Sequence, residues 1–290
     1  MKSGRKVTRK TQSKTDKIEK KWVRTGIKGF DELLEHGIPA GSSIIVSGGP
    51  GTGKTIFCLQ TTYNVASEGN ECVYLSLEEA PDRLKSHMHD FGFNIQEVKR
   101  TSDTIYLRAG KNGGRVAIRR LEPITIARSV EALLEKASGR LPVDAAAVLE
   151  LIPEDVNPRL VVLDSISAMA TAFSGRTEQY RIYIEQLFRY FENIGVTSFL
   201  ITETNEAPLK VSKSGVEEFL ADGIIVFYYV ADHRETYRVR GVEILKLRGA
   251  KHSTHLVEME ITKKGIVVKT HERRLESLVR DKAIGPGYRV

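Results

Sequence analysis

The run Gly48-Gly49-Pro50-Gly51-Thr52-Gly53-Lys54-Thr55 constrains this chain more than any other stretch. It fits the pattern G-x-x-x-x-G-K-[ST], and its setting fits too. The β-branched run Ser43-Ile44-Ile45-Val46-Ser47 enters it, and Ile56, Leu59, Tyr63 and Ala66 leave it at helical spacing. That order predicts strand, glycine loop, helix. Glycines let the loop turn its N–H groups inward around phosphate oxygens, and the helix that follows presents its partly positive end to them. Lys54 is placed to lie against the β- and γ-phosphates of a nucleoside triphosphate, and Thr55 to hold Mg2+ through its hydroxyl. Gly49, Pro50, Gly51, Thr52, Gly53, Lys54, Thr55 and Ile56 are therefore the expected nucleoside-triphosphate-binding residues, with Mg2+ as the second cofactor.

At 290 residues, 41% hydrophobic and 28% charged, the chain is long and apolar enough to bury a sizeable core. No apolar run approaches the roughly 18 residues of a membrane span, and the basic start has no apolar segment behind it. No membrane partner is expected, and the expected location is the cytoplasm. Cys58 and Cys72 lack zinc or disulfide spacing and read as small buried hydrophobes. The net charge of +7 is unevenly spread: residues 1–24 carry ten Lys or Arg against Asp16 and Glu19, which leaves the remainder close to neutral. Residues 1–21 are expected to form a basic disordered tail, either solvated or in contact with single-stranded DNA or another acidic partner.

Beyond the tail, Phe30, Leu33 and Leu34 predict a short helix, Cys72 to Leu77 a strand, Pro81 to Asp90 a helix, and Thr104 to Leu107 a short strand. A helix is expected over 126–137, a strand at Leu160 to Leu163, a helical stripe from Tyr180 to Ile194 and a strand at Thr197 to Thr202. Residues 108–122, basic and glycine-rich, and 139–158, rich in proline, read as loops or insertions. From Ile224 onward, strand-like runs follow one another without long helices. The expected fold is α/β, a mostly parallel central sheet flanked by helices with an antiparallel C-terminal edge. Residues 22–270 form one expected domain, and 271–290 a C-terminal tail.

In such sheets ligands gather at the carboxyl ends of the strands. Asp164 ends the apolar strand Leu160 to Leu163 and is read as the acid that reaches the Mg2+ shell, in preference to a helix cap. Glu78 and Glu79 stand where a carboxylate would orient or deprotonate the attacking water, or would simply favour the helix that starts at Pro81. Thr202 and Glu203 end another strand, as γ-phosphate sensors or as plain strand-end residues. Lys246 and Arg248 share one face of a strand, which by itself fits solvent-facing cations.

Several motifs in one order give these residues a common meaning. Gly26, Phe30-Asp31-Glu32-Leu33-Leu34, Gly37-Ile38-Pro39-Ala40-Gly41, the phosphate loop, Glu78-Glu79, Asp164-Ser165 and Gly215-Val216-Glu217-Glu218-Phe219 together resemble the KaiC clock ATPases of the RecA superfamily. Lys246-Leu247-Arg248-Gly249-Ala250-Lys251-His252 resembles the Lys-x-Arg-Gly-x-x-His segment of that family. KaiC has two such domains in tandem; the resemblance here covers one, from about Trp22 to Lys269. It implies a RecA-like P-loop NTPase fold and a homo-oligomer, a hexameric ring with ATP between subunits. Lys54, Glu78, Glu79 and Arg248 would be catalytic, with Glu78 the base and Glu79 its support. Lys246, Leu247, Arg248 and His252 would reach the nucleotide of a neighbouring subunit. The adjacent phosphorylated Ser and Thr of KaiC's kinase half correspond to Glu218 and Phe219, which implies ATP hydrolysis without autophosphorylation there. Two other readings stand beside this one: a DNA-stimulated, recombinase-like ATPase, for which Lys210 and Lys213 are candidate contacts, and an ATP-gated scaffold with little turnover.

Overall fold

The structure, a computed structural model, describes residues 21–122, 151–173, 177–204, 216–231 and 238–270. The basic tail up to residue 20, the helix expected at 126–137, residues 139–150 of the expected insertion, Lys210 and Lys213, and the C-terminal tail lie outside the described residues.

Strands β1 (Trp22–Val23) and β2 (Ile38–Pro39) pair antiparallel in a small sheet, with a 3-10 turn at Asp31–Leu33 between them. There follow β3 (Ser43–Gly48), α1 (Lys54–Ser67), β4 (Glu71–Ser76), α2 (Pro81–Asp90), β5 (Ile95–Arg100), β6 (Thr104–Ala109) and β7 (Arg115–Arg120). Then come β8 (Pro158–Asp164), α3 (Ile166–Ala172), α4 (Thr177–Asn193), β9 (Thr197–Glu203) and α5 (Val216–Leu220). The C-terminal strands are β10 (Gly223–Ala231), β11 (Arg238–Leu247), β12 (Val257–Thr262) and β13 (Gly265–Val268).

The strands from β3 on form one eleven-stranded sheet in the order β13-β12-β11-β10-β3-β9-β8-β4-β7-β6-β5. Neighbours from β10 to β7 are parallel, and antiparallel strands continue the sheet at both ends. Alternate side chains leave a strand on opposite faces, so each parallel strand feeds two cores. Ile44, Val46, Tyr74 and Phe199 pack with Phe57, Leu84 and Met88 from α1 and α2. Ile45, Val73, Leu75 and Leu200 pack with Ile184, Leu187 and Phe191 from α4. Phe57 is a hub on the first face, its ring centroid 4.9 Å from Phe30, 5.2 Å from Phe227 and 6.0 Å from Phe199.

Two sequence expectations change. Residues 108–122 are not a loop: within them β7 pairs parallel with β4 and antiparallel with β6. Its centre, Val116-Ala117-Ile118, is buried, and two of the flanking arginines answer acids on neighbouring elements, Arg115 with Glu71 at 2.6 Å and Arg119 with Asp103 at 2.8 Å. The antiparallel additions also occupy both edges, because β5, a mostly exposed polar strand with no hydrophobic alternation, pairs with β6. Cys58 and Cys72 are buried free thiols, as expected of small hydrophobes.

Candidate functional site

Strands β3, β9, β8 and β4 are consecutive parallel neighbours, so their carboxyl ends open onto the same edge of the sheet. From β3 the chain turns through the glycine loop directly into α1. Gly48 permits this at a φ of +147°, where a Cβ would stand 2.4 Å from the Phe227 carbonyl oxygen. A side chain there would force the loop off β10.

Three donors converge on the Gly49 carbonyl oxygen: Lys54 Nζ at 2.9 Å, Thr52 Oγ1 at 2.8 Å and the Thr52 N–H at 3.4 Å. Of these, the Lys54 ammonium and the Thr52 N–H are donors of the kinds that the phosphate-loop pattern assigns to an anion; the Thr52 hydroxyl is an addition of this loop. Lys54 is buried, and burial lowers its pKa while the carboxylates of Glu203, Asp164 and Glu78 oppose that shift. Glu203, at the end of β9, lies 3.6 Å from Lys54 Nζ.

From β8, Asp164 accepts hydrogen bonds at Oδ2 from Thr55 Oγ1 at 3.1 Å and from the hydroxyl of Tyr74 at 2.6 Å. The carboxyl is 6% exposed. Burial pushes its pKa up to about 6, the two hydrogen bonds hold it down, and the charges of Glu78 and Glu79 push it further up. Thr55 and Asp164 offer hard oxygen donors, the type that Mg2+ prefers. Among the described residues no group of three or more His, Cys, Asp or Glu side chains is arranged to hold a metal, so phosphate oxygens or water would complete the shell.

Glu78 and Glu79 follow β4 but diverge. Glu78 is exposed and accepts a hydrogen bond from the Ser165 hydroxyl at 2.5 Å. The carboxylate of Glu79 faces α2 instead, where Arg83 Nε lies 3.0 Å away. Thr202 is buried and shares a hydroxyl contact of 3.2 Å with Ser167.

Lys246, Leu247, Arg248 and His252 are not brought to this edge. Lys246 pairs with Ile224, whose parallel partner is Ile45 at the entering half of β3. At about 3.3 Å per residue, Arg248 stands on the order of 15 Å below the level of Gly48 along the strands. Lys246 Nζ donates to the carbonyls of Ala221 at 2.7 Å and Glu218 at 3.0 Å, and Arg248 Nη2 to that of Phe219 at 3.2 Å. Leu247 is buried in the core, which leaves only its main chain for a ligand. His252 forms a bridge with Leu34 on the first segment of the chain. Three side chains around the loop lie outside the sequence expectations: Tyr74, Tyr229 and Arg240. Tyr74 reads in the sequence as one more apolar strand residue, and the other two sit in separate strand-like runs with nothing local to tie them to the loop.

An eleven-stranded sheet with a phosphate loop between β3 and α1, and an acid at the end of β8, describes a RecA-type ATP-binding ATPase. The family model described as "ATPase: KaiC" matches residues 23–273, and the chain belongs to that family. It is 33% identical over 247 residues to a UPF0273 protein of Aeropyrum pernix, covering 85% of this chain and 92% of that protein. It is 32% identical over 257 residues to the circadian clock protein KaiC3 of Synechocystis sp., covering 88% of this chain but 46% of that protein. The solved structure of a KaiC-like protein from Pyrococcus horikoshii OT3 superposes with a TM-score of 0.63 at 28% identity, over 86% of this chain and 99% of that one.

Proposed function

We propose that residues 22–270 form a Mg2+-dependent ATPase that works as a homo-oligomeric ring, a hexamer, with each active site shared between two subunits. Within one subunit Lys54 and the loop N–H groups would hold the phosphates. Glu78, oriented by Ser165, would take the proton of the attacking water, while Glu79 would steady α2 through Arg83. Mg2+, when bound between Thr55, Asp164 and the phosphate oxygens, would offset charge developing on the transferred group. A neighbouring subunit would supply Lys246, Arg248 and His252 as an arginine finger does.

One observation supports the shared site above all: Lys54, Thr55, Asp164 and Glu78 cluster at one edge of the sheet, while Lys246 and Arg248 are held by α5 carbonyls toward the other. One chain cannot close that gap with a side chain; a second copy can. The expected role is control of signalling or assembly by slow turnover in the cytoplasm, without autophosphorylation at Glu218 and Phe219. No described helix is long and apolar enough to cross a membrane. The ten basic residues within 1–24 leave a second reading, in which single-stranded DNA or an acidic partner binds the tail.

The test is ATP turnover for Lys54→Ala and Glu78→Gln, with and without single-stranded DNA. Both variants are expected to lose turnover, and Glu78→Gln to keep ATP binding. Wild-type turnover in either would contradict its assigned role, and stimulation by DNA would select the recombinase-like reading.

A further inference from the structure

The β10–β11 pair reaches the phosphate loop through two residues that the phosphate pattern does not contain. Tyr229 and Arg240 are direct cross-strand partners. The Tyr229 hydroxyl donates to the Gly51 carbonyl oxygen at 2.9 Å, and Arg240 Nε makes a longer contact with the same oxygen at 3.4 Å. Arg240 Nη2 in turn donates to the Tyr229 hydroxyl at 2.6 Å, and its guanidinium carbon lies 4.9 Å from the Tyr229 ring centroid. The guanidinium therefore holds the tyrosine by ring and by hydroxyl while both hold one loop oxygen.

In a planar trans peptide the C=O and N–H point in opposite directions. Fixing the Gly51 oxygen toward β10 therefore fixes the Thr52 N–H toward the loop interior. That N–H does point inward, to the Gly49 carbonyl on which Lys54 Nζ and Thr52 Oγ1 also converge. Gly51, at a φ of +72°, lacks any side chain to fix its own orientation, and the Tyr229 and Arg240 contacts hold the oxygen end of this peptide from outside the loop while the 3.4 Å contact to Gly49 holds its N–H end from within.

We propose that Tyr229 and Arg240 are a positioning pair that clamps the Gly51–Thr52 peptide and preorganises the loop's donors for the β-phosphate of a bound nucleotide. This rests on the nucleotide reading above. The pair touches no phosphate; it acts through one carbonyl.

The test is calorimetric binding of Mg-ADP and of a non-hydrolysable ATP analogue to Tyr229→Phe, Arg240→Gln and the double variant, with melting temperatures measured alongside. Loss of one hydrogen bond to a preorganised group predicts Kd values raised roughly 3- to 10-fold for Tyr229→Phe, by the same factor for both nucleotides. The double variant should be no weaker than the weaker-binding single variant, because both act on one oxygen. A Tyr229→Phe protein that binds ADP as the wild type does, whether or not it melts earlier, overturns the clamp. So do single-variant losses that multiply in the double variant. Lys54→Ala binding ADP as tightly as wild type would instead overturn the nucleotide reading, and the clamp with it.

Discussion

Replacing Tyr74 by Phe removes one oxygen from a fully buried ring and leaves its packing in place. That oxygen donates at 2.6 Å to Oδ2 of Asp164, itself 6% exposed. Hydrogen bonds to charged groups contribute about 1.5–3 kcal/mol, and those between neutral groups about 0.5–1.5. The native pKa of Asp164, about 6, lies above its ordinary value of 3.8. The metal-free native state therefore binds this proton more tightly than the unfolded chain. Its gain from the group is complete below about 4 and is lost as pH rises through about 6. At pH 8 Asp164 is ionised, and Tyr74→Phe should cost about 1.5–3 kcal/mol; near pH 4.5 it is protonated, and the cost should shrink to about 1. The variant should also carry Asp164 further above about 6, so that more Mg2+ is needed near neutral pH to support nucleotide binding. Urea unfolding in chelator at the two pH values measures this directly. A cost below about 0.5 kcal/mol at pH 8, or an equal cost at both pH values, would refute the charge-assisted bond.

Asp164→Asn should stabilise the metal-free protein by about 2–3 kcal/mol at pH 8, because the amide removes a buried charge and can still accept from Tyr74 and Thr55. It should also abolish the Mg2+-dependent part of ATP binding; melting curves with and without Mg2+ read both effects. Phe57→Ala empties the hub between Phe30, Phe199 and Phe227 and should cost about 3–5 kcal/mol in urea unfolding, with no change of nucleotide affinity in the remaining folded protein.

Local signals carried the parts of the fold that were legible. Ser43 to Thr55 declares strand, loop and helix within a dozen residues, Pro81 marks the first residue of α2, and Asp164 stands at the end of an unbroken apolar strand. Strand β7 was hidden because Arg115, Arg119 and Arg120 surround a buried core of only three residues, and the acids that pair with Arg115 and Arg119 are distant in sequence. Strand β5 was hidden because an edge strand with little burial needs no hydrophobic period. The site divided in the same way. Lys54, Thr55 and Asp164 could be read singly, but Tyr74 reaches Asp164 across 90 residues and Tyr229 reaches Gly51 across 178, contacts that only the closed sheet creates. The sequence treats Glu78 and Glu79 as a pair, whereas the start of α2 turns them to different partners.

The proposal of an active site shared between subunits is tested most directly by mixing two inactive proteins, Lys54→Ala and Arg248→Ala, after dissociation and reassembly at equal concentrations. Each single variant should lose most ATP turnover alone. In a randomly mixed ring with heterologous interfaces, about one interface in four joins an intact phosphate loop to an intact Arg248, so turnover should recover toward about a quarter of wild type. Turnover that stays at the level of the separate variants at every ratio, in rings shown to have exchanged subunits, would contradict a site built from two chains.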